Sequence, residues 1–130
     1  MWHEWRNYMN ALNQIIIEGH VADKVTYHET DKYPSDDFPM AVLPISVERN
    51  YKTANGETIT ETSLFDVEAY GTLAETIMEH AHENRGIRVV GRLKQKKWTD
   101  SDGIPHNKTV IIAEYVEFKY TKSKGELPTP

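Results

Sequence analysis

Past the first twelve residues, apolar residues recur at every second position along most of this chain, and at every third or fourth only between Thr72 and Glu83. A strand sends alternate residues to opposite faces, whereas a helix gathers residues three and four apart, so this change of period confines the chain to β structure broken by one helix. Gln14 to Val21 is a first strand, with Ile15, Ile17, Gly19 and Val21 on one side and Gln14, Glu18 and His20 on the other. Residues 22–39, ADKVTYHETDKYPSDDFP, are rich in Asp and hold two prolines without a lasting period, which predicts a long surface loop. Ala41 to Arg49 forms a second strand in which Ala41, Leu43, Ile45 and Val47 share a face; Pro44 lacks a ladder donor and predicts a bulge or an edge there. Asn55-Gly56 predicts a tight hairpin with a primed turn, since both residues accept positive φ. The third strand follows from about Glu57 to Tyr70, with Ile59, Phe65, Val67 and Ala69 set against Thr58, Thr60, Thr62, Asp66 and Tyr70.

Thr72 with Glu75 has the spacing of a capping box, and Leu73, Ile77, His80 and Ala81 share one helical face, so a helix is predicted from Thr72 to about Glu83. Extended structure resumes at Arg85-Gly86 as a fourth strand. Thr99 to Pro105 (TDSDGIP) is turn chemistry, and a fifth strand runs from Lys108 to about Tyr120. Three strands, one helix and two strands is the order of an all-β, five-stranded OB-fold Greek-key barrel with one α-helix between strands 3 and 4. A length of 130 residues fits one such domain. It is divided as an N-terminal extension at 1–11, the barrel at 12–120 and a flexible C-terminal tail at 121–130. In the extension, Trp2, Trp5, Met9 and Leu12 repeat at helical spacing.

The chain has no cysteine, which excludes disulfides, thiolate metal sites and a cysteine nucleophile and is compatible with a reducing cytoplasm. It has no apolar run of membrane-spanning length, and MWHEWRNYMN lacks the layout of a signal peptide. The net charge of −5 argues against a protein that coats duplex DNA by bulk charge, but the charge is unevenly spread along the chain. Acids crowd the segment before residue 40 and the helix (Glu75, Glu79, Glu83), while Arg88 to Trp98, RVVGRLKQKKW, holds five cations and no acid. On a strand, Arg88, Arg92, Lys94, Lys96 and Trp98 fall on one face. A single nucleic-acid strand requires such a set, with cations for its phosphates and a ring for its bases. The plain alternative is an edge strand whose lysines repel other edges.

Three blocks in order, NQIIIEGHVADKV, NGETITETSLFDVEAYGTLAE and VVGRLKQKKWTDSDG, resemble the bacterial single-stranded DNA-binding protein (SSB) family over about Leu12 to Phe118. The resemblance implies an OB-fold domain, usually a homotetramer, that wraps single-stranded DNA without sequence preference in replication, recombination and repair. It implies a cytoplasmic, nucleoid-associated protein with no catalysis and no cofactor. Trp98 matches a stacking tryptophan and Tyr70 an aromatic stacking position. Lys97, Lys96 and Lys94 match basic positions, Arg49 lies at the mouth of the second hairpin, and together with Arg92 and Arg88 they are the expected phosphate contacts. Phe65 sits where the family makes subunit contacts. Two stacking positions depart from the pattern, held here by Asn50 and Leu64; Tyr51 could supply a displaced ring, although a strand neighbour of Asn50 points to the other face. KSKGELPTP has no match to the family's acidic, apolar-tipped C-terminal hook, through which replication and repair proteins are recruited.

Other chemistries are poorly supplied. His80 and His82 are two apart on a helix and diverge, so no metal is expected. Asp100 and Asp102 flank Gly103 and are explained by turn formation, and no nucleophile–base pairing or phosphate loop suggests an enzyme. The competing function is an OB-fold adaptor or primosome-like assembly protein with weak nucleic-acid binding.

Overall fold

The computed structural model describes residues 11–29 and 39–121, so the expectations for half of the loop over 22–39 and for all but one residue each of the N-terminal extension and the C-terminal tail lie outside the described residues. Its elements are β1 (Ile15–Val21), β2 (Thr26–His28), β3 (Met40–Lys52), β4 (Thr58–Tyr70), α1 (Thr72–His80), β5 (Arg85–Thr99) and β6 (Pro105–Thr121). The five long strands are joined in the order β1-β5-β6-β4-β3, and β3 returns to β1 through His20↔Ser46 and Val21↔Ile45, which closes the barrel. The contact between β4 and β6 is parallel and the others are antiparallel. This is the OB-type barrel that the element order predicts, with α1 between the third and fourth long strands.

The expected unbroken loop over 22–39 is corrected by β2, three residues paired with Met40–Val42. So short a strand leaves no period to read. Pro44 sits in continuous register opposite Asp66, without the expected bulge. The carbonyl of Pro44 accepts from the Ala22 N–H, so its missing donor faces the junction between β1 and β2 and removes no bond to β4.

Both hairpin turns have the same form. Thr53 N–H donates to the Glu57 carbonyl and Gly56 N–H to Thr53; Asp100 N–H donates to Ile104 and Gly103 N–H to Asp100. Only Gly56 (φ 82) and Gly103 (φ 80) take positive φ in these turns, so Asn55-Gly56 marks the hairpin correctly but makes a longer loop than a primed two-residue turn. The helix also departs in detail. Gly71 occupies the N-cap and no side chain caps it, which puts Thr72 inside the first turn and leaves the capping box unmade. α1 ends at His80, three residues short of Glu83, because the chain turns at Asn84 (φ 70), whose N–H donates to the Val21 carbonyl. Ala74 and Ile77 are its buried residues, whereas His80 is exposed and rests its ring on Phe118, 5.8 Å away.

The core holds inward strand positions and one helical residue, with Leu43, Ile45, Val67, Ile77, Ile87 and Val89 at 1 % exposure or less, whereas Ile59 and Phe65, expected on the face of Val67 and Ala69, are exposed. Beyond it the strands overshoot the barrel. From Glu48 in β3, Thr58 in β4 and Arg92 in β5 they run as two exposed hairpin arms. β5 is paired with β1 only up to Gly91. At the next position the Asn13 side chain replaces the strand, donating to the Leu93 carbonyl (2.8 Å) and accepting its N–H (2.9 Å). Barrel closure therefore protects the inner half of β5, and among the described residues its outer half remains an edge on that side.

Candidate nucleic-acid interface

Cross-strand registers define one continuous outer face. Ser46↔Leu64 and Asn50↔Thr60 set it on β3 and β4, Glu68↔Ile112 carries it to β6, and Arg92↔Ile112, Lys96↔Lys108 and Trp98↔His106 carry it to β5. Partners in register point to the same side, and alternate residues return to it. Trp98, Lys96, Lys94, Arg92 and Tyr70 are thus brought to one face. Leu64, 70 % exposed, and Asn50, which accepts from the Thr60 hydroxyl (2.8 Å), lie on it too.

The remaining sequence candidates fall elsewhere. Lys97 is on the other side of the same arm, opposite Asn107. Arg49 and Tyr51 alternate with Asn50 and so project from the reverse of the β3–β4 arm, opposite Glu61 and Ile59. Phe65, 40 % exposed and opposite Ile45, is also on that reverse side. Arg88 is ten residues from Trp98, about 33 Å along a strand. It pairs with Glu18 (3.3 Å) and Glu117 (3.4 Å). Those partners fix Arg88 in a separate ionic cluster with Lys119, which lies 3.0 Å from Glu18. Lys119 and then Arg88 hold the Glu18 carboxyl below its usual value.

The indole of Trp98 is 49 % exposed, and the His106 imidazole stacks on it with centroids 5.4 Å apart and planes at 17°. That exposure fits a ring covered on one face and open on the other. Asp100 fixes the imidazole: its Oδ2 lies 2.6 Å from His106 Nε2, and its Oδ1 accepts the N–H groups of Asp102 and Ile104, each at 2.9 Å. One carboxylate thereby ties the turn to the stack. The hydrogen bond from His106, followed by that from Ile104, holds the Asp100 carboxyl below its ordinary 3.8. Because the folded value is the lower one, this stabilisation is complete above pH 3.8 and is lost as the pH falls through the folded value. Acid is expected to release the Ile104 and Asp102 amides in that window, read as amide shift changes by NMR, and Asp100→Asn abolishes the transition.

Several members of this site were not found from the sequence. His106 is one, although counting outward from the TDSDG turn pairs it with Trp98. The others are acids. Segregation of charge along the chain does not survive folding, because neighbouring strands bring carboxylates to the cations: Lys96 meets Glu68 (2.6 Å), Arg92 meets Glu114 (3.9 Å), and Lys108 bonds Asp66. Tyr70 donates its hydroxyl to Glu68 (2.6 Å). Among the described residues, no carboxylate pairs with Lys94, Lys97 or Arg49.

The comparisons with known proteins agree with this architecture. The single-stranded DNA-binding protein of Aquifex aeolicus is 34 % identical over 116 residues, covering 89 % of this chain and 76 % of that protein. That of Caldanaerobacter subterraneus subsp. tengcongensis is 30 % identical over 112 residues, covering 86 % and 71 %. Among solved structures, the Plasmodium falciparum SSB complex with ssDNA shares the fold at a TM-score of 0.71 and 21 % identity, over 85 % of this chain and 97 % of that one. The small single-stranded DNA-binding protein from Streptomyces coelicolor does so at a TM-score of 0.64 and 20 % identity, over 85 % and 96 %. A profile of the single-strand binding protein family matches residues 12–119, nearly the whole described barrel, and the chain belongs to that family.

Proposed function

We propose that this chain binds single-stranded DNA without sequence preference and protects it during replication, recombination and repair. The observation that carries this reading is Trp98: a half-exposed indole at the end of an arm, backed by His106 and on one face with Tyr70, Lys94 and Lys96. A base of any identity stacks on an indole, and lysines beside it answer the phosphates, so the face selects for unpaired strand and not for sequence. The names of the Aquifex aeolicus and Caldanaerobacter proteins support the same ligand. No catalytic step is assigned to it.

The test is a tryptophan-fluorescence titration with oligo-dT at two salt concentrations. Quenching is expected, with affinity that falls as salt rises; in Trp98→Phe, which keeps a stacking ring, the Trp98 share of the quench disappears. Absence of both quenching and salt-dependent binding would transfer the assignment to an adaptor or assembly role, which the non-aromatic residues Asn50 and Leu64 at two stacking positions favour. A cytoplasmic homotetramer with Phe65 at a subunit contact completes the proposal, and mass by light scattering tests the assembly.

A further inference from the structure

We infer that Glu68 and Asp66 are built-in counter-anions of the nucleic-acid face: they hold Lys96 and Lys108 in the unliganded protein and so weaken both the affinity for a single strand and its dependence on salt. This rests on the single-strand reading above and adds to it the residues that set the strength of binding.

Glu68 is the one buried charged residue of the described core region, 4 % exposed. A carboxylate out of water is costly unless it is paired and hydrogen-bonded, and Glu68 has both: the Lys96 ammonium at 2.6 Å and the Tyr70 hydroxyl at 2.6 Å. The pair spans two strands that are not neighbours. Lys96 is on β5 and Glu68 on β4, with β6 between them, so the bridge crosses over Val110 and Ile112, which are buried on that same face. Asp66 repeats the arrangement one step along β4, where it takes the ammonium of Lys108 from β6.

Fold stability alone gives no reason for these acids. The inward positions of β4 here are Val67 and Ala69, and residues 66, 68 and 70 form the outer face. An apolar residue at 68 would cover Val110 and Ile112 without the desolvation of two charges. The consequence lies in ligand binding. A phosphate competes with the carboxylates for these ammonium groups, and one that draws Lys96 away leaves Glu68 buried without a counter-charge. The exchange gains little. Neutralised lysines also release few counterions from the strand, so the dependence on salt is shallow. Phosphate contact on this face then falls to Lys94, while stacking on Trp98 and Tyr70 holds the bases.

The experiment is the oligo-dT titration across a series of salt concentrations for the wild type, Asp66→Asn, Glu68→Gln and the double variant, with thermal unfolding of each. Gln at 68 keeps the volume and an acceptor for Tyr70. Asp66 is partly exposed, so Asp66→Asn leaves the fold intact even if Glu68→Gln does not. Each freed lysine is expected to steepen the plot of log affinity against log salt by about 0.7, and the double variant to bind roughly 10-fold tighter at about 50 mM salt. Glu79→Gln, the same change of charge on the outside of α1, is the control and should leave the slope as it is. Unchanged slopes, weaker binding in Asp66→Asn, or an equal effect from Glu79→Gln overturns the inference while leaving wild-type binding, and hence the function, in place. If neither the wild type nor the double variant binds, both fall together.

Discussion

Trp98→Ala is expected to weaken binding of oligo-dT by about 1–3 kcal/mol, roughly 5- to 150-fold in Kd. Truncation removes the planar surface on which a base stacks, and it also strips His106 of the ring against which it lies. The hairpin itself should persist, since Asp100 continues to bond the Asp102 and Ile104 amides and the cross-strand ladder of β5 and β6 does not involve the indole. The loss is therefore one of contact rather than of fold. Because the substitution removes the fluorescent reporter, anisotropy of a labelled oligonucleotide is the suitable measurement, with unfolding midpoints recorded in parallel. An unchanged Kd would exclude Trp98 from the interface and leave the face of β4, β5 and β6 without its main support.

The second large effect is on stability. Gly19→Ala is expected to cost about 3 kcal/mol, since overpacking against rigid neighbours lies at the upper end of its usual range. A Cβ on Gly19 would stand 2.1 Å from the Ser46 carbonyl oxygen and 2.9 Å from an Ile45 methyl. The first of these is backbone, which no change of rotamer can move aside. The position is also the one where the barrel shuts, beside the His20↔Ser46 pair, so the clash pushes β1 from β3. Against a total stability of about 5–15 kcal/mol, such a loss is visible as a lowered denaturant midpoint with cooperative unfolding retained. A midpoint equal to that of the wild type would mean that the seam yields, and that the close approach of β1 and β3 is not a requirement of the barrel.

Strand alternation carried most of the architecture into the sequence. Ala41, Leu43 and Ile45 on one strand and Val67 and Ala69 on another are inward in the structure as their spacing requires. What escaped is short, bent or non-local. β2 has three residues and no period. The capping box at Thr72 and Glu75 is a local pattern that Gly71, at φ 65, displaced by one position. Pro44 was legible as an anomaly but its accommodation was not, because that depends on which neighbour its absent N–H faces. The site divides along the same line. Trp98 and Tyr70 could be placed on a face from parity and turn position, whereas Glu68 meets Lys96 across an intervening strand, 28 positions further along the chain. Nothing in the neighbourhood of either residue announces that meeting. It follows only from the order β5-β6-β4.

The Asn13 amide on Leu93 has a consequence for how this molecule moves. By standing in for one more residue of β1, it ends that strand's hold on β5 at a defined point, and among the described residues no strand pairs with that edge beyond it. The part beyond then has its own, lower free energy of opening, separate from that of the closed ring. A single strand held on that limb, as proposed, would be followed by bending at the limb's root while the apolar interior stays packed.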